Sequence, residues 1–287
     1  MTAVDNQRIK SDGHEIVMGR HALAEFAEIL STDAFAGVKL FILVDENTLQ
    51  HCLPVLVSKV PPLRDAEVLE VAPGEGSKSL EISEQLWEVL GEMSADRSSV
   101  IVNLGGGVVT DLGGFVAGTF KRGIRFFNVP TSLLAQVDAS AGGKVGINLN
   151  GLKNQIGLFK NPHRVYIDPE FLKTLPKEHL LSGFSEMIKH ALICDPDYWK
   201  SLQEISFFKL KTLDPAILQS VRIKNEIVSS DPFESGRRKI LNFGHTIGHA
   251  LESHSFEGDS RTLLHGSCGR RNGYGSVCLP QKRVAFG

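Results

Sequence analysis

The chain has 287 residues, 28 of them glycine, and its 31 lysines and arginines against 33 aspartates and glutamates leave a formal net charge of −2. This length suits one large domain or two ordinary ones, and the near-neutral balance gives no bulk attraction for nucleic acid or an acidic membrane. Disorder, collagen, coiled coil and a membrane span are excluded by the 42% hydrophobic content without long apolar or low-complexity runs, and the scattered Cys52, Cys194, Cys268 and Cys278 form no CxxC pair or disulfide framework.

The polar start MTAVDNQRIKSDGHE has the character of neither a signal peptide nor an anchor. From about residue 38 to 170, short β-branched runs alternate with amphipathic stretches and glycine-rich turns. The unbroken apolar run 38–44, closed by Asp45-Glu46-Asn47, predicts a parallel strand covered on both faces. A run at 66–72 meets the turn Pro73-Gly74-Glu75-Gly76, after which Leu80, Leu86, Val89 and Leu90 fall at near-helical spacing. A third strand at 99–103 leads into Gly105-Gly106-Gly107 and a small-residue helix, and further strands are expected at 126–129 and 165–167. This alternation predicts an α/β layer with a largely parallel sheet. Beyond Pro169 the texture turns helical. Phe184, Met187, Ile188, Ala191 and Leu192 mark one buried stripe, 217–228 repeats it behind Asp214-Pro215, and 241–251 is a third candidate. The expected class is α/β plus all-α, with an α/β domain over 1–170 and a helical domain over 171–287.

Strand, Gly105-Gly106-Gly107, helix reads either as a tight turn or as a place where backbone amides meet an anion. It matches neither GxGxxG nor a P-loop. Asp45 after a strand could hold a ribose hydroxyl, and Pro73-Gly74-Glu75-Gly76-Ser77-Lys78 adds a flexible turn with a cation. The polar stretch from Pro130 to Lys144, flanked by Lys121-Arg122 and Lys153-Asn154, reads as a phosphate or carboxylate pocket or as a solvated face. His245 and His249 stand at i and i+4, either a satisfied pair or metal ligands. With His265 nearby and Glu186 on an apolar-faced helix that also carries Lys189, a carboxylate and imidazoles would describe a catalytic rather than structural zinc site.

The runs GGGVVTDLGGFVAGTFKRG, VPTSLLAQVDASAGGKVGIN, GLKNQIG, FLKTLP, SGFSEMIKHALI, IKNEIVSSDPFESGRRKILNFGHTIGHALE and TLLHG, in this order, resemble the 3-dehydroquinate synthase family of the sugar phosphate cyclases. The resemblance spans about Asp45 to Gly266. It implies a Rossmann-like NAD-binding domain followed by a helical metal- and substrate-binding domain, in a cytoplasmic homodimer of the shikimate pathway. The implied reaction converts 3-deoxy-D-arabino-heptulosonate 7-phosphate into 3-dehydroquinate and phosphate, through hydride loss to NAD, phosphate elimination, hydride return and aldol closure. The implied zinc (or cobalt) ligands are Glu186, His245 and His265. NAD contacts are implied for Asp45, Glu75, Lys78, Gly107, Val108, Val109, Thr110, Asp111, Thr131, Ser132, Lys144, Lys153, Phe171 and Thr174. Lys224 and Arg238 would meet the substrate carboxylate, and Lys144, Asn154 and Asn242 its phosphate. Arg122 would reach the neighbouring subunit's site. Asp138, Lys144, Lys189, Glu234 and His249 would contact or relay protons among the hydroxyls. Another sugar-phosphate cyclase, a metal-dependent polyol dehydrogenase, or an inactive remnant that only binds NAD are the competing readings.

Val145 and Thr110 depart from the pattern without touching a charged or metal-binding role. After Gly266 the departure is large. The family continues with a helix resembling Gly-Glu-Ala-Val-Ala-Val-Gly-Met, whereas 267–287 is polar, glycine-rich and aperiodic. A permitted back-translation of Ser267 to Val277, read one base later, gives Ala-Val-Ala-Val-Gly-Met-Val-Met-Glu-Ala. The expectation is a frameshift or truncation near codon 267, with stability and activity impaired in a chain expressed as written.

Overall fold

The computed structural model describes residues 6–139, 142–205 and 213–244. The N-terminal hairpin β1 (Gln7–Ser11) and β2 (His14–Met18) leads into α1 (Ala22–Leu30) and β3 (Leu40–Asp45). Next come α2 (Glu46–His51), α3 (Leu53–Lys59), β4 (Glu67–Val71), α4 (Leu80–Glu92), β5 (Val100–Gly105) and α5 (Gly107–Thr119). Then follow β6 (Arg125–Pro130), α6 (Leu133–Val137), the hairpin β7 (Lys144–Leu149) and β8 (Leu152–Phe159), and β9 (Arg164–Ile167). The helical portion comprises α7 (Lys177–Cys194), α8 (Pro196–Glu204), α9 (Asp214–Ser230) and a 3-10 turn at Arg237–Asn242.

Seven strands form one sheet in the order β1-β2-β9-β6-β5-β3-β4. Every neighbouring pair is parallel except the β1–β2 hairpin. The central strands explain their own sequence. All six residues of β5 are buried, as are Phe41–Val44 of β3, because helices cover both faces and leave no polar side of the pleat. One face buries Phe26, Leu56, Phe127 and Tyr166, with the Phe26 and Tyr166 rings stacked at 4.4 Å. The other buries Leu43, Ile101, Leu112, Phe115 and Leu90 under α4 and α5.

Helix α5 lies unusually close to its neighbours because glycines face them. A Cβ at Gly113 would overlap the Asn103 amide, one at Gly114 would overlap Val145, and one at Gly118 would come 2.5 Å from Leu158 Cδ1. The GGFVAG run therefore presses α5 against the sheet on one side and the β7–β8 hairpin on the other. That contact carries the hairpin over α5, with the loop before β7 placed beside α9 and the turn that follows it.

A third core joins the sheet to the helices. Ile16, Met18, Val165 and Ile167 pack with Leu133, Met187, Ile217 and Val221. It draws on both sides of the boundary expected near residue 170. The strands expected at 38–44, 66–72, 99–103, 126–129 and 165–167 are present within a few residues of their expected ends. Both hairpins were missed, and the described part of the 241–251 helix candidate begins as a 3-10 turn.

Candidate active site

The order of strands creates a crevice. From β3 the chain crosses to the edge strand β4 and then returns to β5 on the other side of β3, so the connections diverge between β3 and β5. In open parallel sheets such a divergence at the carboxyl ends opens a ligand cleft. Asp45 ends β3 there, its Oδ1 accepting from Thr48 N at 2.8 Å as the N-cap of α2. Gly105-Gly106-Gly107 ends β5 and starts α5, whose N-terminus has no side-chain cap. A Cβ at Gly105 would overlap Val109, and one at Gly106 or Gly107 would press at 3.3 Å on Ser132 Oγ or Ala139 Cβ, so the three glycines keep this turn as bare backbone. The amides of the first helical turn are thus available to an anion. Val109 and Thr110 are buried, and Thr110 turns inward, its N–H donating to Gly106 O at 3.0 Å and its hydroxyl to Gly106 O and Gly107 O, so the amides left to a ligand are those before it.

Beside this turn lies a buried cation. Lys78 Nζ meets Asp111 Oδ2 at 2.6 Å and donates to Asn154 Oδ1 at 2.5 Å. Asn148 Nδ2 donates to Glu75 Oε2 at 2.9 Å, and its own Oδ1 accepts from Asn154 N. Burial pushes the Asp111 carboxyl upward in pKa, against the pull of Lys78. Four residues singled out in sequence, Glu75, Lys78, Asp111 and Asn154, therefore form one network across three segments of chain.

A second cluster fills the space between α6, β7, α7, α9 and the 3-10 turn. Asp138, just past α6, pairs with Lys224 on α9. Glu186 on α7 pairs with Lys189 one turn on, and Lys189 Nζ also donates to Leu241 O at 2.7 Å. Glu234 pairs with Lys144 and accepts from Asn242 Nδ2 at 2.7 Å. Arg238, 2% exposed, donates from Nη2 to Gly142 O and from Nη1 to Pro232 O, both at 2.6 Å. Burial raises the Asp138 carboxyl, but Lys224, Lys189 and His190 outweigh it and the net shift is downward. Burial, with Arg238 and Lys224 nearby, brings the Lys144 ammonium down to about 8.

Among the described residues, Asp138, Glu186 and His190 bring three ligand atoms within 4.8 Å of one another. Ser220 Oγ lies 2.7 Å from His190 Nδ1, which leaves Nε2 turned toward Glu186 Oε1 at 3.4 Å, outside hydrogen-bond geometry. Burial lowers the pKa of the imidazole, with Glu186 opposing, and so favours the neutral form that a metal needs. Two carboxylates and one imidazole suit a divalent transition-metal ion. His190 was not singled out in sequence, although its i+4 spacing from Glu186 was a usable signal.

The remaining expected residues divide plainly. Thr131 is buried, its N–H donating to Gly105 O, and Ser132 caps α6, so both stand at the glycine turn. Phe171 lies in the sheet core and Thr174 is exposed at the end of a 3-10 turn. Lys153 neighbours Asn154 on β8. Arg122 is exposed after α5, with φ of 71°. His245, His249, His265 and the segment 267–287 lie outside the described residues.

Family models for the 3-dehydroquinate synthase N-terminal and C-terminal regions match residues 68–182 and 183–269. A 3-dehydroquinate synthase of Parabacteroides distasonis is 46% identical over 254 residues, covering 88% of this chain and 71% of that protein. One of Streptococcus thermophilus is 46% identical over 266 residues, covering 90% and 73%. Among solved structures, 2-deoxy-scyllo-inosose synthase complexed with carbaglucose-6-phosphate, NAD+ and Co2+ has a TM-score of 0.78 at 26% identity, with 91% of this chain and 73% of that one covered.

Proposed function

The chain belongs to the 3-dehydroquinate synthase family, and from that premise we propose that it converts 3-deoxy-D-arabino-heptulosonate 7-phosphate into 3-dehydroquinate and phosphate. The observation that carries the reading is the pairing of two sites. A bare glycine turn at the sheet's divergence stands with a pocket where Lys144, Lys224 and Arg238 gather around buried carboxylates. A dinucleotide fits the first, because its diphosphate can approach backbone that no Cβ obstructs. A substrate with an anion at each end fits the second.

When bound, NAD supplies a hydride acceptor and a divalent metal supplies Lewis acidity at a substrate hydroxyl. Glu186 would hold the metal with His245 and His265, and the donor set of Glu186, Asp138 and His190 fits such an ion. Zinc or cobalt is the metal proposed. Lys224 and Arg238 would grip the carboxylate while Lys144, Asn154 and Asn242 take the phosphate, which fixes the ends of a flexible chain. Lys189, held between Glu186 and Leu241 O, would offer its Nζ to an oxyanion developing on the substrate. Lys144, at about 8, can hold or release a proton near neutral pH. The homodimer with Arg122 in the partner's site, and residence in the cytoplasm, belong to the same proposal. No described helix is long and apolar enough to cross a membrane.

The test is phosphate release from the heptulosonate with NAD and zinc, followed together with absorbance of NADH. Phosphate release without net NADH is the expected result. Net NADH accumulation would point to a dehydrogenase, and NAD binding without phosphate release to a remnant.

A further inference from the structure

One carboxylate outside the expected site residues organises much of the anion pocket. Helix α9 ends at Asp231, which is 8% exposed. The Asp231 side chain does not face the pocket; it turns back into the loop that follows. Its Oδ1 accepts from Ser235 N at 2.9 Å and Ser235 Oγ at 3.0 Å, and its Oδ2 from Gly236 N at 2.7 Å and Arg238 N at 3.0 Å. Its backbone carbonyl accepts from Glu234 N at 3.2 Å. The 3-10 turn at Arg237–Asn242 has Gly236 as its N-cap and no cap from that residue's side chain. Asp231 supplies the missing acceptor from five residues upstream, as a remote cap.

What rides on that turn is the pocket. Glu234, held at φ of 56°, meets Lys144 and Asn242. Arg238 is fixed at both ends, its amide by Asp231 and its guanidinium by Pro232 O and Gly142 O. Leu241 O receives Lys189. A non-glycine residue at positive φ is unfavourable unless its surroundings hold it there, and the bonds to Asp231 from the residues around Glu234 do so. The backbone amides of Arg238 and Gly236 hold the Asp231 carboxyl down at about 2, so this acceptor stays ionised at any working pH.

We propose that Asp231 is a positioning residue, whose carboxylate sets the loop that aims Arg238 and Glu234 and thereby fixes the anion-binding geometry of the site. This rests on the reading of Lys144, Lys224 and Arg238 as the anion pocket. Asp231→Asn keeps the shape but replaces one acceptor oxygen with an NH2 that repels the loop's N–H donors.

The test titrates 3-dehydroquinate, which carries the carboxylate proposed for Lys224 and Arg238, into the full chain by calorimetry at pH 7, with melting temperatures recorded, for wild type, D231N, R238M and the double variant. The expected result is about tenfold weaker binding of this carboxylate in D231N, and a double variant no more than about twofold weaker than R238M, as coupled positions behave. Ser235→Ala, which removes one hydroxyl bond, should weaken binding about twofold in a fully folded chain, and reports the same loop if D231N does not fold. Wild-type affinity in D231N, or in S235A where D231N fails to fold, overturns the proposal; so does a D231N loss of equal size with and without Arg238. Wild-type 3-dehydroquinate affinity in R238M would instead remove Arg238 from the pocket, and with it the route through which Asp231 is proposed to act.

Discussion

Lys144 is the residue whose charge state is most exposed to ordinary conditions. It pairs with Glu234 and feels Arg238 and Lys224 as like charges and Asp138 and, at longer range, Asp231 as opposite ones. Burial and the two cations dominate and bring it down to about 8. Below that pH the ammonium is charged and, in the proposed pocket, would hold an anion; above it the charge is lost. Phosphate binding should therefore weaken by about tenfold between pH 7.5 and 9, where phosphate itself is already dianionic. Lys144→Arg keeps its charge throughout, and calorimetry on this variant should show a flat profile over that range; an unchanged slope would mean another group titrates. Lys144 closes the polar stretch that reads as an anion pocket or a solvated face from its residues alone, whereas Lys224 and Arg238 enter only through the family motifs. Asp231 and Ser220 were not legible, because their roles arise from where a loop folds back and from which helix lies opposite. An aspartate after a helix looks the same whether it caps a distant turn or faces water.

At the scale of elements, the parallel strands were legible because burial on both faces forces continuous apolar runs. The hairpin β7–β8 was not. Its second strand, Leu152-Lys-Asn-Gln-Ile-Gly-Leu-Phe159, is half polar, and Leu152 and Phe159 are well exposed. Contact with α5 rather than its own propensity places it, through glycines whose purpose shows only in the packed structure. The same reasoning predicts opposite signs for two identical changes. Gly113→Ala should cost about 2–3 kcal/mol, since the methyl would overlap Asn103 and press on Leu43 in a close-packed layer. Gly91→Ala, on α4 with open space around its Cα, should instead stabilise by about 0.5–1 kcal/mol through helix propensity. Denaturant midpoints measure both, and destabilisation at both positions would contradict the packing described here.

At the scale of the molecule, the two halves share a core. Ile16, Val165 and Ile167 from the sheet interlock with Met187, Ile217 and Val221 from the helices. Its buried side chains contribute about 1.5–3 kcal/mol each when taken from water, so neither half can open without exposing the other. The two tryptophans report on the two sides, Trp87 on α4 and Trp199 on α8. Fluorescence of W87F and W199F chains should give coincident unfolding midpoints; separate midpoints would show that the halves unfold independently. The change from β-branched runs to helical stripes near residue 170 was readable in sequence. The shared core was not, since it brings Ile16, near the start of the chain, together with residues as distant as Val221.

The ion pairs of the site carry a consequence of their own. Asp111 with Lys78, Asp138 with Lys224, Glu186 with Lys189 and Glu234 with Lys144 already satisfy each other without any ligand. The cleft thus behaves as a small ion exchanger rather than a reservoir of positive charge. An anion that recruits Lys144 and Lys224 releases Glu234 and Asp138, and the freed carboxylates then favour a cation. A divalent metal does the reverse, freeing ammonium groups for the anion. With the proposed anion and metal sites both filled, linkage would make each ligand tighten the other by the same factor, and a full complement of ligands would assemble more readily than any one of them alone.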